Sequence, residues 1–130
     1  RKTVHIEAQT MIDMARRHIL PAVESYAAKL AETLATKKAL SPLLGGKYET
    51  GLLTKLSGLT DDIAEAADAL EASLAAYHKI GDVTEAACFI RDEVLPKMDA
   101  LRAPADEAER FTAAEYWPFP TYGDLLFGVK

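Results

Sequence analysis

Apolar residues recur along this chain in steps of three and four, the spacing that lines one face of an α-helix. The first stripe runs Val4, Ala8, Met11 with Ile12, Ala15, Ile19, Val23, Tyr26, Leu30 and Leu34. Glu7, Asp13, Arg16, Arg17, Glu24, Lys29 and Glu32 occupy the opposite face. A helix from Val4 to about Ala39 is predicted, roughly 54 Å long at ~1.5 Å per residue. Pro21 stands inside it. Proline removes one backbone hydrogen bond and crowds the carbonyl four residues back, so a kink is predicted there.

Ala39 to Lys47 reads as a connection, because Ser41-Pro42 and Gly45-Gly46 both break helices. A second stripe follows at Leu52, Leu53, Leu56, Leu59, Ile63, Ala66, Ala67, Leu70, Leu74 and Tyr77, with Gly58 inside it and Gly81 just past its end. Asp82-Val83-Thr84-Glu85 has the form of a capping box, in which the Asp82 carboxylate accepts from the backbone near Glu85. The third stripe is Val83, Ala87, Ile90, Val94, Met98, Leu101, Ala105, Ala108 and Phe111, with Pro96 and Pro104 within it. Leu95-Pro96 echoes Leu20-Pro21, and the four-residue apolar steps across both prolines predict continuous but bent helices. The expected fold is all-α: an up-down-up bundle of three long helices with an extended aromatic C-terminal tail. Residues 1–115 form the bundle and residues 116–130 the docked tail, as one domain.

The tail has a character of its own. Tyr116-Trp117-Pro118-Phe119-Pro120 has two prolines in three residues, which favours an extended path, and Tyr122, Leu125, Leu126 and Phe127 follow. Half of the chain's aromatic residues fall in this stretch. Trp117, Phe119, Tyr122, Leu125, Leu126 and Phe127 therefore form a candidate docking segment, seated either on the chain's own bundle or on another domain or subunit. Burying one large side chain is worth roughly 1.5–3 kcal/mol. Ordering each backbone residue costs ~1–2 kcal/mol, so the segment docks only if most of it finds contacts. An Ala-rich bundle that closes its own core without the tail tips the choice slightly towards another domain.

Composition narrows the chemistry. The 130 residues suit a single core, and a net charge of -5 opposes a nucleic-acid partner, which begins from a basic face. No apolar run is long enough to cross a membrane. The start, Arg1-Lys2-Thr3-Val4-His5, lacks an initiator Met and a signal-peptide layout, and reads as cut from a longer protein. Cys88 is the one cysteine, so no internal disulfide forms, and the cytoplasm is the expected setting. Beside Ala87 and Phe89 it reads as a partly buried inert thiol.

Bundles that hold metal pairs use Glu-x-x-His, but Lys2, Ala15 and Ala75 stand three residues before His5, His18 and His78. Gly45-Gly46 lacks the residues of a phosphate loop and reads as a turn. Asp61, Asp62, Glu65 and Asp68 read as a solvated acidic face. No catalytic, cofactor-binding or metal residue is expected.

The tail and the helix before it resemble the C-terminus of type III glutamine synthetase, the large bacterial form of that enzyme. The residues that carry the likeness are Met98, Leu101-Arg102, Asp106, Glu109, Trp117-Pro118, Pro120, Tyr122 and Asp124-Leu125-Leu126-Phe127. The first helix adds Ile6-Glu7-Ala8, Met11, Met14-Ala15 and Ile19-Leu20-Pro21-Ala22, whereas Ala39 to His78 matches poorly. The resemblance implies a parent ligase of nitrogen metabolism, joining glutamate and ammonia with ATP and Mg²⁺ or Mn²⁺ through a γ-glutamyl phosphate. Its ligands would sit on an upstream sheet, so no catalytic residue carries over. The implied role is structural, against the catalytic domain or a neighbouring subunit of a homo-oligomer. A stand-alone helical interaction module is the alternative, and a small helical enzyme or metal carrier a third reading.

Overall fold

The computed structural model describes residues 2–120. They form three long helices and no strand. The first runs through α1 (Lys2–Met14), a π turn (Ala15–Ile19) and α2 (Leu20–Leu40) without a break. The second is α3 (Lys47–Tyr77). The third runs through α4 (Val83–Phe89), a second π turn (Ile90–Val94) and α5 (Leu95–Phe111). A short 3-10 turn, Ala114–Tyr116, follows.

Both Leu-Pro pairs are accommodated in the same way. The Leu20 amide donates to the Ala15 carbonyl, and the Leu95 amide to the Ile90 carbonyl, each five residues back instead of four. The proline that comes next has no amide to donate. A turn widened by one residue gives its ring room, and the helix continues beyond it. Pro104 also stands inside a helix, within α5.

α3 is the element that both others share. It buries Leu56, Leu59, Ile63, Ala67, Leu70 and Leu74. Ala8, Ile12, Ala15, Ile19, Val23 and Leu30 of the first helix join the same core, as do Ile90, Val94, Met98, Leu101 and Ala108 of the third. Ion pairs flank the seam: Arg16 holds Asp68 at 2.6 Å and Glu71 at 2.9 Å, and Lys55 reaches Glu107 at 3.2 Å. Part of the acidic run is thus paired, although exposed pairs of this kind contribute only about 0–1 kcal/mol.

The beginning of the third stripe differs from expectation. Val83 and Ala87 are exposed, while Ala86, Phe89 and Ile90 turn inward. The π turn is the reason. Its extra residue rotates everything upstream of Val94, so the inward face falls on Ala86 instead of Ala87. The cap itself forms as expected, with the Glu85 amide donating to the Asp82 carboxylate at 2.7 Å.

Leu70 is fully buried at the centre of α3. Leu70→Ala is expected to cost about 2–5 kcal/mol in denaturant unfolding. Asp82→Ala, which removes only a cap, should cost about 0.5–2 kcal/mol.

Candidate functional site

Two apolar surfaces stand out among the described residues. One is the start of the aromatic tail. α5 ends at Phe111, where the Thr112 amide donates to the Ala108 carbonyl and Thr112 turns extended. The 3-10 turn then carries the chain across to α2, and Trp117 leaves it extended. The Tyr116 ring meets Tyr26 at 5.2 Å between centroids. The Phe119 ring stands edge-on to His18 at 5.9 Å, and Trp117 packs edge-on to Phe119 at 6.4 Å. Trp117 and Phe119 are half-buried against the core. Burial comes first in raising the Tyr26 phenol above its ordinary range, and neighbouring Tyr48 and Tyr116 add to it. Of the tail's expected docking residues, the structure therefore brings Trp117 and Phe119 together on the first helix. Tyr122, Leu125, Leu126 and Phe127 lie outside the described residues.

A small groove runs between the first and third helices, about 160 Å³ in volume. Met11, Met14, Ala15 and Ile19 form one wall and Leu101 and Ala105 the other, with Arg102 and Asp106 at its lip. Arg102 is held there by Asp99 at 2.9 Å and by the Met11 sulfur at 3.5 Å.

The second surface is the corner between α2 and α3, which the sequence pattern presented only as a turn. Leu40, Leu43, Leu44 and Tyr48 are all exposed, Leu43 to 94%. Hydrogen bonds fix the corner nonetheless. The Ser41 amide donates to the Lys37 carbonyl, the Leu44 amide to the Ser41 carbonyl, and the Leu43 amide to the Ser41 hydroxyl. Lys38 caps the Leu44 carbonyl at 2.6 Å. Gly46 approaches so closely that a Cβ there would collide with Leu34 Cδ1. Beneath it, Glu49 is buried to 8% exposure and paired with Lys37 at 2.9 Å. Periodicity gives no sign of a buried carboxylate, and a Leu-Leu pair inside a Gly-rich turn was the available clue to the corner.

Ionisable groups elsewhere are dispersed. At one end of the bundle, His5 meets His78 edge-on at 4.5 Å and stacks near Tyr77 at 6.4 Å. Cys88 is half-buried. Among the described residues, no three His, Cys, Asp or Glu side chains converge to hold a metal ion. No helix of the described residues is long and apolar enough to cross a membrane.

Comparison with known proteins gives a consistent picture. A family model described as the glutamine synthetase C-terminal domain matches residues 1–38. A glutamine synthetase of Butyrivibrio fibrisolvens is 30% identical over 129 residues, 99% of this chain and 18% of the relative. One from Bacteroides fragilis (strain YCH46) is 30% identical over 131 residues, covering 95% and 18%. A type-3 glutamine synthetase of Dictyostelium discoideum is 23% identical over 133 residues, covering 97% and 18%. These alignments include the middle of the chain, Ala39 to His78, which the residue-level likeness left out. No solved structure matches. The chain thus spans less than a fifth of the length of the relatives it matches.

The Lys37 hydrogen bond, followed by its own backbone amide, holds the Glu49 carboxyl below the usual carboxylate range. A depressed folded-state pKa adds stability above the unfolded value of about 4.3, lost as pH falls through the folded pKa. Thermal melts across that range should show the native chain losing more stability on acidification than Glu49→Gln.

Proposed function

This chain belongs to the glutamine synthetase C-terminal domain family, and from that premise we propose that it is the non-catalytic assembly domain of a type III synthetase. The parent would make glutamine from glutamate, ammonia and ATP in the cytoplasm as a homo-oligomer, with Mg²⁺ or Mn²⁺ held in its catalytic part. The domain's work in this reading is mechanical: it presents an apolar surface to the catalytic domain or to a neighbouring subunit.

One observation carries the proposal. Leu40, Leu43, Leu44 and Tyr48 are exposed together on a corner that hydrogen bonds and a buried ion pair hold in shape. A mobile loop would gain little from fixing its leucines outward in water. A corner built to present them suits a partner that covers them. An up-down-up course supports the same reading, since it places this corner at the tip of the bundle. Arg16 with Asp68 and Glu71, and Lys37 with Glu49, pair rising numbers in the first helix with falling numbers in the second.

Leu43→Ser with Leu44→Ser in the full-length enzyme tests the assignment. Both side chains are solvent-exposed, so the domain's own melting should stay within about 0.5 kcal/mol of native, as surface substitutions do. Assembly, read by analytical ultracentrifugation, should shift towards smaller species, and glutamine synthesis should fall with it. Unchanged assembly and activity in that double variant would refute the role. Native activity despite deletion of the whole domain would refute it as well.

A further inference from the structure

α3 turns a second seam outward, beside α5. Gly51, Lys55, Gly58, Asp62, Glu65 and Ala69 are all exposed, and they follow one another in alternating steps of four and three. That spacing aligns them along one side of the helix, as in the seam on which a second helix lies. The two glycines have no part in this chain's own packing. A Cβ at Gly51 or at Gly58 would meet nothing within 4 Å. Glycine weakens a helix interior, yet both stand inside the unbroken α3. The distance between two packed helices is set by the side chains at the contact, and glycine allows the closest approach.

Charge along the seam divides at Gly58. On the N-terminal side a groove of about 480 Å³ runs between α3 and α5, lined by Gly51, Leu52 and Lys55 and by Arg110 and Phe111. Lys55 and Arg110 both stand over the Phe111 ring, at 5.1 and 5.7 Å. Glu107 pairs with each, at 3.2 Å from Lys55 and 3.1 Å from Arg110, so two cations share one carboxylate. On the C-terminal side a wider groove of about 640 Å³ between the same helices carries Asp62 and Glu65 on its α3 wall, with Glu107 opposite. No hydrogen bond or ion pair reaches Asp62 or Glu65 among the described residues.

A second copy turned end for end supplies what each half lacks. With a two-fold axis at Gly58, residues equally far from it on opposite sides come level. Asp62 lies four residues beyond the axis and Lys55 three before it, about 6 Å and about 4.5 Å along the helix, a difference that a lysine side chain spans. Glu65 and Gly51 are each seven residues from the axis. Gly51 leaves open space beside Arg110, where the Glu65 carboxylate of the second copy fits. The axis repeats both contacts, as a self-complementary interface requires.

We propose that this seam is a self-association face, on which α3 of a second copy lies antiparallel across Gly58, with Asp62 on Lys55 and Glu65 on Arg110 twice over. Charge complementarity of this kind sets partner choice and register. The face is separate from the exposed leucines of the Leu43 corner, and neither assignment depends on the other.

Cysteine cross-linking in the full-length enzyme reads the axis. Gly58→Cys introduces no clash. Copper–phenanthroline oxidation should join the substituted positions of two copies, and mass spectrometry should recover the symmetric disulfide-linked peptide. Glu32→Cys, exposed on α2, should give no such link. Lys55→Glu with Arg110→Glu should cut the Gly58→Cys yield several-fold, and so should Asp62→Lys with Glu65→Lys, because each set brings like charges together. Co-expressing the two sets, each with Gly58→Cys, should restore the link, since the acidic seam of one then meets the basic seam of the other. No link from Gly58→Cys with the native charges in place would overturn the proposal. So would a yield that ignores both reversals, or a loss that co-expression does not restore.

Discussion

α3 has one apolar stripe and two neighbours to share it with. A helix of this kind owes its stability to the face it buries, since propensity alone leaves isolated helices marginal in water. Leu56, Ile63, Ala67 and Leu70 are buried completely, which takes side chains from both sides at once. The first and third helices therefore both pack on α3, from different sides. The Met11–Arg102 contact and the groove beside it mark where they meet. Small residues line the packing on α3: Ala8 and Ala15 on the first helix, Ala67 on α3 itself, Ala108 on the third.

Much of this is written in the spacing of apolar residues. The stripes through Ile12, Ile63 and Met98 predict the three helices, and the helix ends fall where Ser41-Pro42 and Asp82 place them. The π turns are a different matter. Ala15, Ile19 and Val23 show two successive four-residue steps, but so do Leu59, Ile63 and Ala67 within an unbroken α-helix. Spacing therefore carries no trace of the extra residue. The clue is the proline that follows each widened turn. A proline forbids one hydrogen bond without saying whether the helix breaks, bends or widens to absorb the loss. The inward turn of Ala86 in place of Ala87 is the downstream cost of that ambiguity.

The surfaces were less legible than the core. Trp117 and Phe119 announce a docking segment by composition, yet composition says nothing of the receiving side. Tyr26 and His18 come close to them only through the fold. The Leu43 corner lay hidden inside a stretch rich in breakers, where Gly45-Gly46 argued for a plain turn. Its order depends on Ser41, which accepts from the amide two residues on, and on Lys38 and the buried Glu49, whose partners Leu44 and Lys37 lie six and twelve residues away.

The two outer helices each carry a widened turn and a proline, while α3 runs 31 residues from Lys47 to Tyr77 without either. At ~1.5 Å per residue it is a strut about 46 Å long. The Leu43 corner adjoins one of its ends and the His5–His78 contact marks the other. Such a strut turns angle into distance. A tilt of only ~5° where the corner is seated would carry the histidine end through roughly 4 Å, given that length. Small tilts at the Leu43 corner would thus become large displacements at the histidine end.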